Sequence, residues 1–182
     1  MSFVTQLKEN KTQKQTLMET KKKILLVDDD VDIISVVETI LENEGYNVIT
    51  ACNKKEGLAK AKSEQPDLAI VDVMMTTYYE GFELAETLKN DSELKRMPIL
   101  LQTSIEVFES NDDDVMKFAR DYREKTGGKE MDVLLVQDYS SNKAGVDYRD
   151  NENRIHWISV NGFIRKPVNA KTLLEKIRRL LN

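Results

Sequence analysis

The sequence predicts an α/β fold: an open, doubly wound sheet of five parallel strands in the order 2-1-3-4-5, with helices on both faces and an added segment between the fourth and fifth strands. Three observations predict it. Short apolar runs alternate with helical patterns of about a dozen residues, the signature of βαβ units with right-handed crossovers. The runs are too short for helices and are bounded by turn residues, as buried parallel strands are. The regularity lapses after Ser104 and resumes at Gly162.

Composition narrows the class. The chain has 182 residues, 40% hydrophobic and 32% charged, with 7 Gly and 3 Pro, which suits one globular domain large enough to bury a core. No apolar run approaches the roughly 18 residues of a membrane span. The N-terminus is polar and Lys-rich without an apolar signal core, so a cytoplasmic protein is expected. A single cysteine, Cys52, excludes an internal disulfide, and its place in the alternation Val48, Thr50, Cys52 predicts a small, partly buried residue rather than a reactive thiol. The net charge of -5 is uneven: residues 1–23 hold six Lys against two Glu, and residues 161–182 six Lys or Arg against one Glu. The strongly acidic middle repels nucleic acid and favours divalent cations, so neither direct DNA binding nor a membrane partner is expected.

Residues 1–20 are polar and nearly free of aromatics, which predicts a flexible tail ahead of a domain over 21–182. Ile24 to Val27 is the first strand, ending in Asp28, Asp29 and Asp30. Val31, Ile34, Val37, Ile40 and Leu41 then recur at helical spacing until Gly45 stops the helix. Tyr46 to Thr50 is the second strand. Asn53 caps a helix that ends by Pro66. Leu68 to Val71 is the third strand, with Asp72 at its carboxyl end, and a helix through Phe82, Leu84, Ala85 and Leu88 follows. Pro98 to Leu101 is the fourth strand, closing on Gln102, Thr103 and Ser104.

Beyond Ser104, Asn111 or Asp112 can cap a helix through Val115, Phe118 and Tyr122 that stops at Gly127 and Gly128. Met131 to Gln137 reads as a strand and 139–153 as polar and turn-rich. Gly162 to Pro167 forms strand and turn, and Asn169 caps a last helix through Leu173, Leu174, Ile177 and Leu180.

The strand ends carry the chemistry. In a doubly wound sheet the first and third strands meet at the topological switch point, so Asp28, Asp29 and Asp72 share one crevice. Three like charges there call for a cation, and an oxygen-only donor set with open positions suits Mg²⁺ or Mn²⁺. Thr103 ends the fourth strand and Lys166 the fifth. Asp30 and Asp32 read as first-turn acids, Asp112 to Asp114 as a helix start rather than a second metal site, and His156 beside Trp157 as a core-packing residue.

The segments KILLVDDD, LAIVDVMM, PILLQTS and FIRKP, in that order, resemble the receiver domain of bacterial two-component response regulators, over about 23–104 and 160–182. The resemblance implies a flavodoxin-like fold with Asp72 as phosphoacceptor. It makes Asp28, Asp29 and the Met74 backbone carbonyl the metal-binding partners of Asp72. Thr103 matches the switch hydroxyl, Lys166 the lysine that pairs with the phosphoryl group, and Phe163 the switch aromatic. It further implies a sensor histidine kinase or histidine phosphotransfer protein as donor, an unknown downstream protein, phosphorylation-dependent pairing of two copies, and no enzymatic activity beyond self-phosphorylation and autodephosphorylation. With nothing after Asn182, a stand-alone receiver or phosphorelay intermediate is expected. The competing readings are a phosphorylation-independent scaffold and a metal-dependent phosphohydrolase, the latter lacking the usual second acid because Met74 stands two residues after Asp72.

Two departures from the family stand out. Thr76 replaces the usual proline, and Gly81 comes one place late behind Tyr78 and Tyr79. The separation of Thr103 from Phe163 is about 40 residues beyond the family's usual spacing, too long for an unstructured connection. An insertion at about 108–158, forming an added recognition element, is therefore expected.

Overall fold

The computed structural model describes residues 21–110, 114–126, 132–150 and 152–182. The predicted tail at 1–20, the caps at Asn111 and Asp112, the stop at Gly127 and Gly128 and the strand start at Met131 lie outside them. The main sheet comprises β1 (Lys23–Val27), β2 (Asn47–Ala51), β3 (Leu68–Asp72) and β4 (Ile99–Thr103). The added region supplies β5 (Val107–Glu109), β6 (Val133–Asp138), β7 (Lys143–Arg149) and β8 (Ile155–Val160), after which β9 (Gly162–Arg165) completes the main sheet. The main sheet has the order β2-β1-β3-β4-β9, all parallel. With β9 in the fifth place, this is the predicted order.

Among the described residues, four helices connect strands, α1 (Val31–Asn43), α2 (Lys54–Glu64), α3 (Glu80–Asn90) and α4 (Val115–Lys125), and α5 (Ala170–Leu181) follows the last strand. Short polar side chains start α1, α2, α4 and α5 by satisfying exposed backbone N–H groups. Asp30 accepts from the Asp32 and Ile33 amides, Asn53 from Glu56, Asp114 from Lys117 and Asn169 from Thr172. Gly45, at φ +87, ends the turn after α1 in a conformation that favours glycine.

Alternate residues of each main strand enter separate cores. Ile24, Leu26, Ile70, Leu100 and Ile164 pack against Val37 and Leu41 of α1 and Leu173 and Ile177 of α5. Leu25, Val27, Val71, Leu101 and Phe163 face the opposite way, onto Ala61 of α2 and Phe82, Leu84 and Leu88 of α3.

The region between β4 and β9 is a second sheet, order β5-β6-β7-β8, with β5 parallel to β6 and the remaining pairs antiparallel. It spans Val107 to Val160, close to the expected 108–158. The polar stretch 139–153, expected to be turns, contains β7, and β5 and β8 are further strands. The inner face of this sheet (Leu135, Val146, Tyr148, Ile158, Val160) belongs to the same core as Leu101 and Phe163. Its outer face (Leu134, Val136) is covered by Val115 and Ala119 of α4. The insertion thus roofs one side of the main sheet as an integral layer, because its hydrophobic face has no other surface to bury against. Cys52, expected to be partly buried, is exposed.

Candidate functional site

The carboxyl ends of four parallel strands bring the predicted residues together. Asp28 follows β1 and Asp72 closes β3, with Val27 and Val71 paired in register. Both acids are enclosed, at 1% and 4% exposure, while Asp29 is exposed. One ligand oxygen from each of Asp28, Asp29 and Asp72 lies within 4.8 Å of the others. Lys166, after β9, extends its Nζ to Asp72 Oδ1 at 2.7 Å and Asp28 Oδ2 at 3.0 Å. Its backbone N–H donates to the Thr103 carbonyl at 2.8 Å, which locks the β9 turn to the end of β4. The Lys166–Pro167 peptide is cis.

Thr103 is buried at the end of β4, and its Oγ accepts from the Ile105 N–H at 2.9 Å, which leaves its own proton free to donate. Phe163 is paired in register with Leu101 and buried in the inner core. Met74 is exposed two residues past Asp72.

Gln102 was not singled out in the sequence. It pairs in register with Asp72, and its Nε2 donates to Asp28 Oδ2 at 3.2 Å. A polar residue inside the apolar run PILLQTS was the available signal, since a buried amide must find a partner. Asp28 Oδ1 also accepts from the Asp30 N–H at 2.9 Å.

The electrostatics follow from burial. Desolvation pushes the Asp72 carboxyl up to about 6; the Lys166 hydrogen bond acts downward, and the charges of Asp28 and Asp29 act upward. At neutral pH Asp72 remains largely ionised. Burial opposes the Lys166 charge, but its bonds to Asp72 and Asp28 outweigh this and raise its pKa. One ammonium against three carboxylates leaves the cluster negative. The donor set, all hard oxygen with one acid open to solvent, fits a divalent cation such as Mg²⁺. The Gln102 Oε1, buried beside these acids, has no partner among the described residues.

The loop after Asp72 is tied to the second sheet. Tyr79 stacks on Tyr148 of β7 at 5.7 Å, and Tyr148 stacks on Phe82 at 5.2 Å and on His156 at 4.9 Å. Tyr148 donates through its hydroxyl to Glu86 of α3 at 3.2 Å. His156, expected to be a packing residue, is partly exposed and sits between two acids: Nδ1 lies 3.3 Å from Glu86 Oε1 and Nε2 2.9 Å from Asp150 Oδ2. Arg154 also holds Asp150, at 2.7 Å.

The Asp150 contact raises the His156 pKa above its ordinary 6.5, partial burial opposes this, and Glu86 adds to the rise. Because the folded-state pKa is the higher one, the stabilisation is fully present below about 6.5 and is lost as pH rises through the folded value. The fall in urea midpoint between about pH 6 and pH 8.5 is therefore expected to be steeper for the wild type than for His156→Gln. Equal slopes would show that the imidazolium contributes nothing.

Comparison with known proteins agrees with this geometry. The profile of the response regulator receiver domain matches residues 24–139. The chain is 41% identical over 83 residues to the alkaline phosphatase synthesis transcriptional regulatory protein PhoP of Bacillus subtilis, covering 46% of this chain and 33% of that protein. It is 33% identical over 82 residues to the protein PilG of Pseudomonas aeruginosa, covering 45% of this chain and 60% of PilG. The matched segments thus span a third to three-fifths of these relatives' own length. Among solved structures, the Vibrio cholerae chemotaxis protein CheY4 superimposes with a TM-score of 0.58 at 26% identity, covering 89% of this chain and all of that one. A CheY-like receiver from Methanospirillum hungatei gives 0.56 at 28% identity, covering 89% and 94%. The profile stops before β9, so Lys166 is placed in the site by its own contacts with Asp72 and Asp28.

Proposed function

Because this chain belongs to the response regulator receiver family of two-component signalling, we propose that it is a phosphorylation-dependent switch whose phosphoacceptor is Asp72. The observation that carries this reading is the Lys166 ammonium, held at once against Asp72 and Asp28 at the ends of adjacent parallel strands. The donor would be a phosphohistidine on a sensor kinase or a histidine phosphotransfer protein. An Asp72 carboxylate oxygen attacks phosphorus, the P–N bond breaks as the P–O bond forms, and the leaving imidazole takes a proton. Phosphoryl transfer asks a protein mainly for positioning and charge neutralisation.

The strand end fixes Asp72, and Lys166 neutralises charge on the transferring oxygens. Asp28, Asp29, Asp72 and the Met74 carbonyl would hold Mg²⁺ or Mn²⁺, which when bound supplies further charge neutralisation. The acyl phosphate adds charge and acceptor oxygens, to which the Thr103 hydroxyl can donate. Thr103 moves with the Ile105 amide and hence with the chain entering β5, so the second sheet is the natural receiver of the signal. The output is expected to be a protein contact in the cytoplasm, since the acidic body disfavours DNA.

Incubation with acetyl phosphate and Mg²⁺ tests this. A single phosphoryl adduct is expected by intact mass, absent in Asp72→Asn and absent with chelator. An unmodified wild type would support the scaffold, and turnover of free phosphate esters the hydrolase.

A further inference from the structure

A second polar site lies away from the acids, where β9, α5 and the second sheet meet. A cavity of about 350 Å³ opens there, walled by Phe163 and Pro167 on one side and by Gln137 and Tyr139 on the other, with Lys176 reaching in from α5. Its volume is at the small end of the range for small-molecule sites.

Two observations make it more than a gap in packing. Gln137 of β6 is 1% exposed, and its Nε2 has no hydrogen-bond partner among the described residues. Leaving a buried amide donor unpaired is costly, so it marks a place where an acceptor belongs. Lys176 is half-buried, and no carboxylate among the described residues pairs with it; its ammonium lies 5.8 Å from the Tyr139 ring centroid. The two donors converge. The point where a side chain on Gly162 would begin is 3.8 Å from Gln137 Nε2 and 3.8 Å from Lys176 Nζ. Gly162 also has φ +141, which L side chains rarely adopt, so the space between the donors stays open.

We propose that this cavity binds a small organic monocarboxylate, its carboxylate placed over Gly162 between Lys176 and Gln137 and its apolar body against Phe163 and Tyr139. One ammonium and one amide match a single negative charge with two acceptor oxygens. A phosphate dianion would require further buried cations; Arg165 also lines the cavity but is exposed, and Arg179 on the same helix as Lys176 is already engaged with Asn142. The site is distinct from the acid cluster and does not depend on phosphorylation of Asp72.

The test is a titration of the full chain with acetate, benzoate and 2-naphthoate, followed by amide NMR. At least one is expected to give saturable shifts of the Gln137 side-chain amide and the Gly162 backbone amide. Lys176→Met and Gln137→Leu are each expected to weaken that binding about tenfold or more, the loss of one charge-assisted or buried hydrogen bond. Lys176→Met keeps the helix propensity of α5, so its folding is not at issue. Benzyl alcohol and inorganic phosphate are expected to give no saturable shift. The proposal is overturned if none of the three carboxylates saturates by about 10 mM, a concentration reached by even weak sites, if phosphate binds as well as they do, or if both variants bind like the wild type.

Discussion

Arg123→Ala is expected to lower the unfolding free energy by about 3–5 kcal/mol, the cost of stranding one partner of a buried ion pair. Arg123 lies in the last turn of α4 at 7% exposure, and Asp147 of β7 at 2%. The guanidinium Nε donates to the Asp147 carboxylate, and Nη2 reaches the Asp147 carbonyl at 3.0 Å and the Asp132 carbonyl at 3.4 Å. Without the arginine, the enclosed carboxylate keeps no countercharge among the described residues. Arg123→Lys restores a charge but not the planar fork and should recover only part of the loss. The double variant Arg123→Met, Asp147→Leu removes both charges and should fall much closer to wild type than Arg123→Ala. If Arg123→Ala costs less than about 1 kcal/mol in urea denaturation, the pair is solvated rather than buried.

The same experiment addresses how the chain is divided. Trp157 is the only tryptophan and packs beside α4, so its fluorescence follows the second sheet. The shared inner core leads us to propose that residues 21–182 unfold as one cooperative unit, with fluorescence and far-UV circular dichroism giving coincident transitions. An earlier fluorescence transition would make the second sheet a separate unit.

The main sheet was readable because buried parallel strands are short apolar runs and two of the helices begin at Asn53 and Asn169, side chains with a local reason to be there, whereas Asp30, read as a first-turn acid, is the N-cap of α1. The acids and Lys166 followed, since a residue at a strand's carboxyl end has its position set by the sheet. The second sheet was less readable because its stability is not local. Strand β7, KAGVDYR, reads as a turn region; its polar Asp147 is buried only because Arg123 arrives from another element. Gly145 looks like a turn glycine, yet a side chain there would begin 2.2 Å from the Trp157 ring, so it marks a close approach inside the sheet. His156 reads as packing until Glu86 and Asp150, 70 and 6 residues away, are placed beside it. Gln137 shows the same limit: only the fold reveals that its amide lacks a partner.

Gly81→Ala is the second substitution with a large expected effect, and it joins stability to the site. The Gly81 N–H donates to the Val73 carbonyl at 3.3 Å, which presses the first turn of α3 against the end of β3. A Cβ there would lie 1.9 Å from the Asp72 carbonyl oxygen and 2.7 Å from that of Val73. These neighbours are backbone and cannot rotate aside, so α3 must move. The cost should be at or above the upper end of the 1–3 kcal/mol typical of overpacking, about 3 kcal/mol. Gly57→Ala is the control: its Cβ would meet Leu84 Cδ2 and Val27 Cγ2 at 3.1 Å, side-chain atoms that can yield. There the gain of about 1 kcal/mol in helix propensity offsets much of the crowding. Displacing α3 would also move Tyr79 off Tyr148 and shift the backbone that aims the Asp72 carboxylate. Gly81→Ala should therefore slow phosphorylation by acetyl phosphate even at temperatures where it is fully folded, whereas Gly57→Ala should not. Wild-type rates in folded Gly81→Ala would mean that the acceptor geometry is set by β3 and Lys166 alone, and that the packing of α3 matters only for stability.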